Sequence, residues 1–130
     1  MSLPDRSSPQ AALPPPTDDV ARLVRMVGPE AALALVEARG GTRLYVAQTP
    51  EGSEIEKIAG LDAARKLSAQ YGRDWLRVPL ARPWRILCYR AAGMSYRAIA
   101  LKACCTDATV WEVLKRHDAV SPQGDLFKAS

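Results

Sequence analysis

The sequence predicts a mostly helical fold with a small two-stranded antiparallel β-ribbon. A duplicated helix-helix-strand unit is expected first, followed by a three-helix helix-turn-helix. An internal repeat over residues 24–79 and a change to purely helical spacing after Pro83 support this fold class. The expected domains are an arm at 1–16, the duplicated domain at 17–81 with units 17–48 and 53–80, the helix-turn-helix domain at 82–118 and a flexible tail at 119–130.

The repeat emerges when residues 24–47 are aligned with residues 56–79, an offset of 32 residues. Seven of the 24 aligned positions are identical, among them Gly28 over Gly60 and Leu44 over Leu76. A duplicated unit is expected to bury its apolar face against the other copy. Gly28 is expected to end a first helix in the left-handed conformation, and Pro29 suits the first position of the next helix.

Each copy ends in a short segment with alternating apolar residues, which predicts a strand. The alternation puts four aliphatic residues on the inner face of an antiparallel ribbon: Leu44, Val46, Leu76 and Val78. The outer face then carries two arginines interleaved with two aromatic residues: Arg43, Tyr45, Trp75 and Arg77. This outer face is either a solvated edge with large residues or a surface for nucleic acid. In the second case cations hold phosphates and rings pack against sugars or base steps.

From Pro83 onward the apolar residues recur at helical spacing. Gly93 breaks the first helix, Ser95 is a natural N-cap for the second, and Thr106 or Asp107 begins the third. Two helices joined by a short break, as over residues 95–117, are typical of a DNA-binding helix-turn-helix. A glycine is common in the turn, but residues 103–105 are Ala-Cys-Cys. A three-helix bundle that makes protein contacts is the alternative.

If the third helix enters the major groove, its outward residues are expected to face the bases: Thr106, Asp107, Thr109, Glu112 and Arg116. Of these, Thr109 and Arg116 are the best hydrogen-bond donors to base edges. The other basic residues of this region are expected to contact phosphates: Arg85, Arg90, Arg97, Lys102 and Lys115. Trp111 either braces the neighbouring domain or lies along the sugar-phosphate backbone.

Charge is unevenly distributed along the chain. Residues 1–81 hold ten basic and ten acidic residues, whereas residues 82–118 hold seven basic and three acidic ones. The net charge of +4 therefore arises in the predicted helix-turn-helix, as is typical of a nucleic-acid-binding module.

Composition and motifs also predict a disordered segment and disfavour several classes of protein and site. Five of the ten prolines lie within the first sixteen residues, which predicts a disordered arm. No signal peptide or membrane-spanning run is present, so a cytoplasmic location without membrane contact is expected. The three cysteines have no C-x-x-C spacing and the chain has one histidine, so no metal site is expected. The cysteines are instead expected to be small buried residues. No motif pairs a nucleophile with a base, so neither enzymatic activity nor a cofactor is expected.

The string over residues 26–46, with its paired glycines and Thr-x-Leu-Tyr-Val ending, resembles the dimerisation region of the Mor transcription activators of phages and prophages. Residues 93–116 are similar to the helix-turn-helix of that family. The resemblance implies a sequence-specific activator that binds double-stranded DNA, with RNA polymerase as a candidate partner. It also implies that Arg43 and Tyr45 contact DNA. Because this chain holds two copies of the unit, either a homodimer or a pseudo-dimer within one chain is expected.

The main alternative is a DNA-associated assembly or packaging protein that uses the same helices for protein contacts. Salt-dependent binding with a strong sequence preference favours the regulator, whereas weak binding without preference favours the alternative.

Overall fold

The computed structural model describes residues 13–120, which form seven helices and two strands. The helices are α1 (Asp18–Val27), α2 (Pro29–Arg39), α3 (Glu54–Ala59), α4 (Leu61–Tyr71), α5 (Arg82–Ala91), α6 (Tyr96–Ala103) and α7 (Asp107–Val120). The strands are β1 (Arg43–Val46) and β2 (Asp74–Arg77). This confirms the predicted fold class. The chain divides into two compact units, one ending at Ala81 and the other beginning at Arg82.

The duplication is visible in the backbone of the first unit. One copy consists of α1, α2 and β1, and the other of α3, α4 and β2. Gly28 and Gly60 link the two helices of each copy, with φ/ψ of 92°/159° and 96°/163°. This region of positive φ and extended ψ is open essentially only to glycine. The predicted left-handed conformation of Gly28 is therefore wrong in ψ, while Pro29 does begin α2 as predicted.

The two strands pair in antiparallel orientation, as predicted. The register is Arg43↔Arg77, Leu44↔Leu76, Tyr45↔Trp75 and Val46↔Asp74. Leu44 and Leu76 are separated by 32 residues and are thus equivalent positions of the repeat. An approximate two-fold axis consequently passes through this pair and relates the two copies.

The inner face of the ribbon belongs to the core of the first unit. Leu44, Val46 and Val78 are fully buried and Leu76 is 8% exposed, so the predicted inner face is confirmed. Strand β2 begins and ends one residue earlier than the predicted 75–78, and Val78 directly follows it. Further buried positions are equivalent in the repeat: Leu23 and Ile55, Ala32 and Ala64, and Leu35 and Leu67.

Local hydrogen bonds explain where some helices begin. At α3 the Glu56 amide donates to Ser53 Oγ at 3.2 Å, and Glu56 Oε1 accepts from the Gly52 amide at 2.6 Å. Ser53 and Glu56 thus form a variant of the capping box, in which the carboxylate accepts from Gly52 rather than from Ser53. Thr17 is the residue before α1, but its side chain makes no capping hydrogen bond.

The second unit encloses its own core between α5, α6 and α7. The core consists of Ile86, Leu87, Tyr89, Ile99, Ala100, Ala103, Val110 and Leu114. Ser95 caps α6, since its Oγ accepts from the Ala98 amide at 3.1 Å. Three residues separate α6 from α7, which is the spacing of a helix-turn-helix.

Cys104 takes the turn conformation that glycine often supplies at this position. Its φ/ψ of 58°/52° is left-handed, and the following Cys105 amide donates to Ala100 O at 2.9 Å. The turn is thus closed by a backbone hydrogen bond to α6 even though it contains no glycine. Cys88 is buried as expected, but Cys104 is exposed and Cys105 is half-buried, so the prediction of three buried cysteines is wrong.

The chain ends of the described region differ in part from expectation. Helix α7 continues to Val120, beyond the predicted boundary at residue 118. Residues 13–16 have no regular secondary structure. The remainder of the predicted arm and tail, residues 1–12 and 121–130, lies outside the described residues. No helix between residues 13 and 120 is long and apolar enough to cross a membrane.

Truncation of Leu44 to Ala should lower the free energy of unfolding by about 2–5 kcal/mol, because a cavity replaces a fully buried side chain. Leu80→Ala is the matched control, since Leu80 is 43% exposed, and should cost less than about 1 kcal/mol. Urea denaturation of the two variants and the parent measures the difference. Equal losses in both variants would contradict the burial of β1.

Candidate nucleic-acid interface

The ribbon face consists of Arg43, Tyr45, Trp75 and Arg77, the outward side chains of β1 and β2. All four are exposed, with Tyr45 at 46% and Trp75 at 55%. The alternation that buries the aliphatic residues of the strands forces these four onto the opposite side. Two large rings are therefore held in solvent by the core requirements of the ribbon.

The register adds the cross-strand pairing of the ribbon face, which the alternation of residues did not predict. Cations and rings alternate along each strand. Across the two strands, however, each cation lies opposite a cation and each ring lies opposite a ring. Arg43 lies opposite Arg77, and Tyr45 lies opposite Trp75. The two rings form an edge-to-face pair with centroids 5.3 Å apart and an interplanar angle of 67°. The ribbon face thus has a cationic end and an aromatic end.

Arg22 and Tyr71 flank the ribbon face on the β2 side and were missed by the sequence analysis. The Arg22 guanidinium lies over the Tyr71 ring, 5.9 Å from its centroid. Both residues line a cleft of about 230 Å³ that also includes the two ribbon-face residues of β2. The equivalent positions of the repeat are Glu54 and Arg39, which form an ion pair on the β1 side.

The recognition-helix surface consists of the outward residues at the start and middle of α7. Thr106 Oγ1 accepts from the Thr109 amide at 3.1 Å, and the two hydroxyls are 3.0 Å apart. Thr106 is therefore the N-cap of α7, and the Thr109 hydroxyl, a predicted donor to base edges, already has a local partner. Asp107 is exposed in the first turn, where the helix dipole favours a carboxylate.

Further along α7, Arg116 lies beside Glu112 at 3.7 Å, in an ion pair exposed at both ends. Such a pair contributes little to stability and is easily opened by a ligand. Trp111 is 48% exposed, and the Lys115 ammonium lies 4.6 Å from the centroid of its ring. These four side chains leave α7 with an accessible guanidinium and a ring–cation pair.

The other predicted phosphate contacts have different surroundings. Arg97 and Lys102 are exposed on α6, and the Lys102 ammonium lies 5.3 Å from the Tyr89 ring centroid. Arg90 is exposed, lies over the Tyr96 ring at 5.1 Å and donates to a backbone carbonyl at 3.0 Å. All three side chains remain accessible from solvent.

Arg85 does not fit the predicted role in phosphate binding. It is 9% exposed, and its guanidinium donates to Lys102 O at 3.1 Å and to the Tyr89 hydroxyl at 3.2 Å. Arg82 Nε donates likewise to Ala103 O at 3.0 Å. Two cations thus satisfy carbonyls at the carboxyl end of α6, where the helix dipole favours positive charge. Arg85 is a structural residue that ties α5 to α6.

No family model, no curated protein and no solved structure matches this chain. The resemblance of residues 26–46 and 93–116 to the Mor activators therefore stays a prediction from the motifs.

Replacing Arg85 by Ala should lower the free energy of unfolding by on the order of 1–3 kcal/mol, because buried carbonyl and hydroxyl partners lose a charged donor. Arg97→Ala, which removes the same charge from an exposed position, should change it by less than about 0.5 kcal/mol. Urea unfolding followed by circular dichroism compares the two. A stable Arg85→Ala protein would contradict the structural role.

Proposed function

We propose that this chain is a cytoplasmic, sequence-specific DNA-binding transcriptional regulator without enzymatic activity. The observation that carries the proposal is the ribbon face, where two guanidinium groups and two large rings project together from a paired two-stranded ribbon. An aromatic pair of which about half remains exposed buries less apolar area than the same rings would in the core, so a partner surface is the better explanation for its position. Guanidinium groups beside rings suit a narrow, electronegative minor groove.

The helix-turn-helix of the second unit supports the same proposal. In the proposed complex α7 lies in the major groove, where Arg116 leaves Glu112 and donates to a guanine edge. Arg97 and Lys102 on α6 bind phosphates without regard to sequence. The burial of Arg85 removes it from this set. The resemblance to phage activators points to a role in promoter activation.

A specific observation favours the alternative of an assembly protein. Leu101 on α6 is 75% exposed, and together with Trp111 it gives the second unit apolar surface suited to a protein partner. In the regulator, the same residues would suit a contact with RNA polymerase. In the assembly protein they would hold copies together, and DNA binding would be weak and without preference.

Selection of binding sites from a random duplex pool, followed by titration at several salt concentrations, tests the proposal. The regulator should enrich one sequence and bind it more tightly than random DNA by roughly 10³-fold or more. Failure to enrich any sequence, together with a large stable assembly, would favour the alternative.

Within the selected complex, Arg97→Ala should weaken binding to all sequences alike and reduce the salt slope by about one ion. Arg116→Ala should instead relax base preference at one position, at a cost of about 1–3 kcal/mol. The charge-matched control is Arg65→Ala, which removes an exposed cation of α4. If Arg116→Ala behaved like Arg97→Ala, the assignment of base reading to α7 would be wrong.

Removal of either ring of the ribbon face should weaken specific binding by at least about 1 kcal/mol and reduce DNA bending. Tyr45→Ala and Trp75→Ala test this singly, and Tyr45→Phe is the control that keeps the ring. All three proteins should melt within a few degrees of the parent, because the side chains are about half exposed. Affinity and bending that match the parent in both Ala variants would restrict DNA contact to the helix-turn-helix.

A further inference from the structure

The backbone of the ribbon is approximately two-fold symmetric, whereas the side chains of the ribbon face are not. Beyond the strand ends, the Gly41 amide donates to Val78 O at 2.8 Å and the Arg73 amide donates to Val46 O at 2.7 Å. These bonds are related by the 32-residue offset of the repeat. Arg73 even shares the positive φ of Gly41, at 72° against 84°. The main chain therefore presents the same surface in either direction along the ribbon.

The side chains of the ribbon face break this symmetry. The repeat makes Arg43 equivalent to Trp75 and Tyr45 equivalent to Arg77. A ribbon made from two identical copies of β1 in this register would place an arginine opposite a tyrosine at both ends. The second copy instead carries its ring and its cation in the reverse order, so both cations meet at one end and both rings at the other.

The cationic end is unfavourable without a ligand. Like charges directly opposite each other on an antiparallel pair are destabilising. Within residues 13–120, no carboxylate forms an ion pair with Arg43 or Arg77. An anionic surface between the two guanidinium groups relieves their repulsion, and a narrow minor groove supplies such a surface.

The flanks of the ribbon also depart from the two-fold symmetry. On the β2 side Arg22 and Asp19 line an open cleft, and the Arg22 guanidinium lies over the Tyr71 ring. At the equivalent position on the β1 side stands Glu54, whose charge is balanced by Arg39. The two flanks therefore differ in their contacts, with a cation–ring pair beside β2 and an ion pair beside β1.

We propose that the ribbon face binds duplex DNA in a single orientation and so requires a non-palindromic site. The arginine end takes a narrow, A·T-rich minor groove, and the Tyr45–Trp75 end lies at a flexible pyrimidine–purine step. This inference rests on the proposed DNA-binding function and adds the polarity of the site. A symmetric protein surface reads palindromic sites, whereas this surface has two chemically different ends.

The test uses the full chain and the duplex obtained by site selection. The DNA segment that the ribbon protects is identified as the part of the duplex that loses protection when Tyr45→Ala replaces the parent protein. This segment is then inverted, and the remaining base pairs are kept. Parent protein should bind the inverted duplex roughly tenfold more weakly. Equal affinity for both duplexes would overturn the inference without any variant.

Exchange variants of unchanged composition and charge sharpen the test. Trp75→Arg with Arg77→Trp, or Arg43→Tyr with Tyr45→Arg, places a cation opposite a ring at both ends. Either double variant should bind the two duplexes within about twofold of each other, because its face is nearly symmetric. All four substitutions together move the cations to the other end, and this variant should prefer the inverted duplex.

The outcomes separate the inference from the proposed function. If no duplex is enriched by the parent, DNA-binding regulation itself fails. If a duplex is enriched but the four-substitution protein keeps the orientation preference of the parent, the polarity of the ribbon face is wrong and the proposed function stands. Thermal melting of each variant tests whether it is folded. If one double variant is unfolded, the other double variant is used in its place.

Discussion

The pairing of Leu44 with Leu76 at the centre of the ribbon determines most of what the first unit presents to solvent. Both side chains must reach the core, because the two copies of the repeat bury their apolar surface against each other. Once this pair is fixed, the alternation of each strand sets the direction of every neighbouring side chain. Arg43 and Trp75 are thereby held on one outer face of the ribbon.

The second unit depends on a different constraint, the junction of α5 with the end of α6. Arg82 and Arg85 donate to carbonyls that the helix itself leaves without partners. Cys104 then reverses the chain in a left-handed conformation and delivers it to Thr106, which caps α7. The direction in which α7 projects its outward residues follows from these three local interactions.

The sequence was sufficient for the fold class, the repeat and the two faces of the ribbon. Glycines at a fixed offset and period-two alternation report directly on backbone junctions and on burial. The strand register was not available from this pattern, because alternation assigns a residue to a face without naming its partner across the ribbon. For this reason the segregation of Arg43 and Arg77 from Tyr45 and Trp75 became visible only in the structure.

Arg85 was assigned a wrong role, and Arg22 and Tyr71 were missed, for reasons of tertiary packing. Arg85 carries the same charge as its exposed neighbours in sequence, and only the position of the α6 carbonyls makes it interior. Arg22 lies on a helix of the first copy, and Tyr71 on a helix of the second copy, so their contact in the cleft required the packing of α1 on α4. Charge counting along the chain cannot detect either arrangement.

The three tryptophans offer the most direct measurement of the central claim, that the ribbon and the helix-turn-helix together contact duplex DNA. Trp75 and Trp111 are 55% and 48% exposed, whereas Trp84 is fully buried. Indole N–H resonances followed during titration with the selected duplex should move for Trp75 and Trp111 and stay nearly unchanged for Trp84. The shifts should reverse when salt is added. A Trp75 resonance that does not move while the duplex is bound would contradict the account.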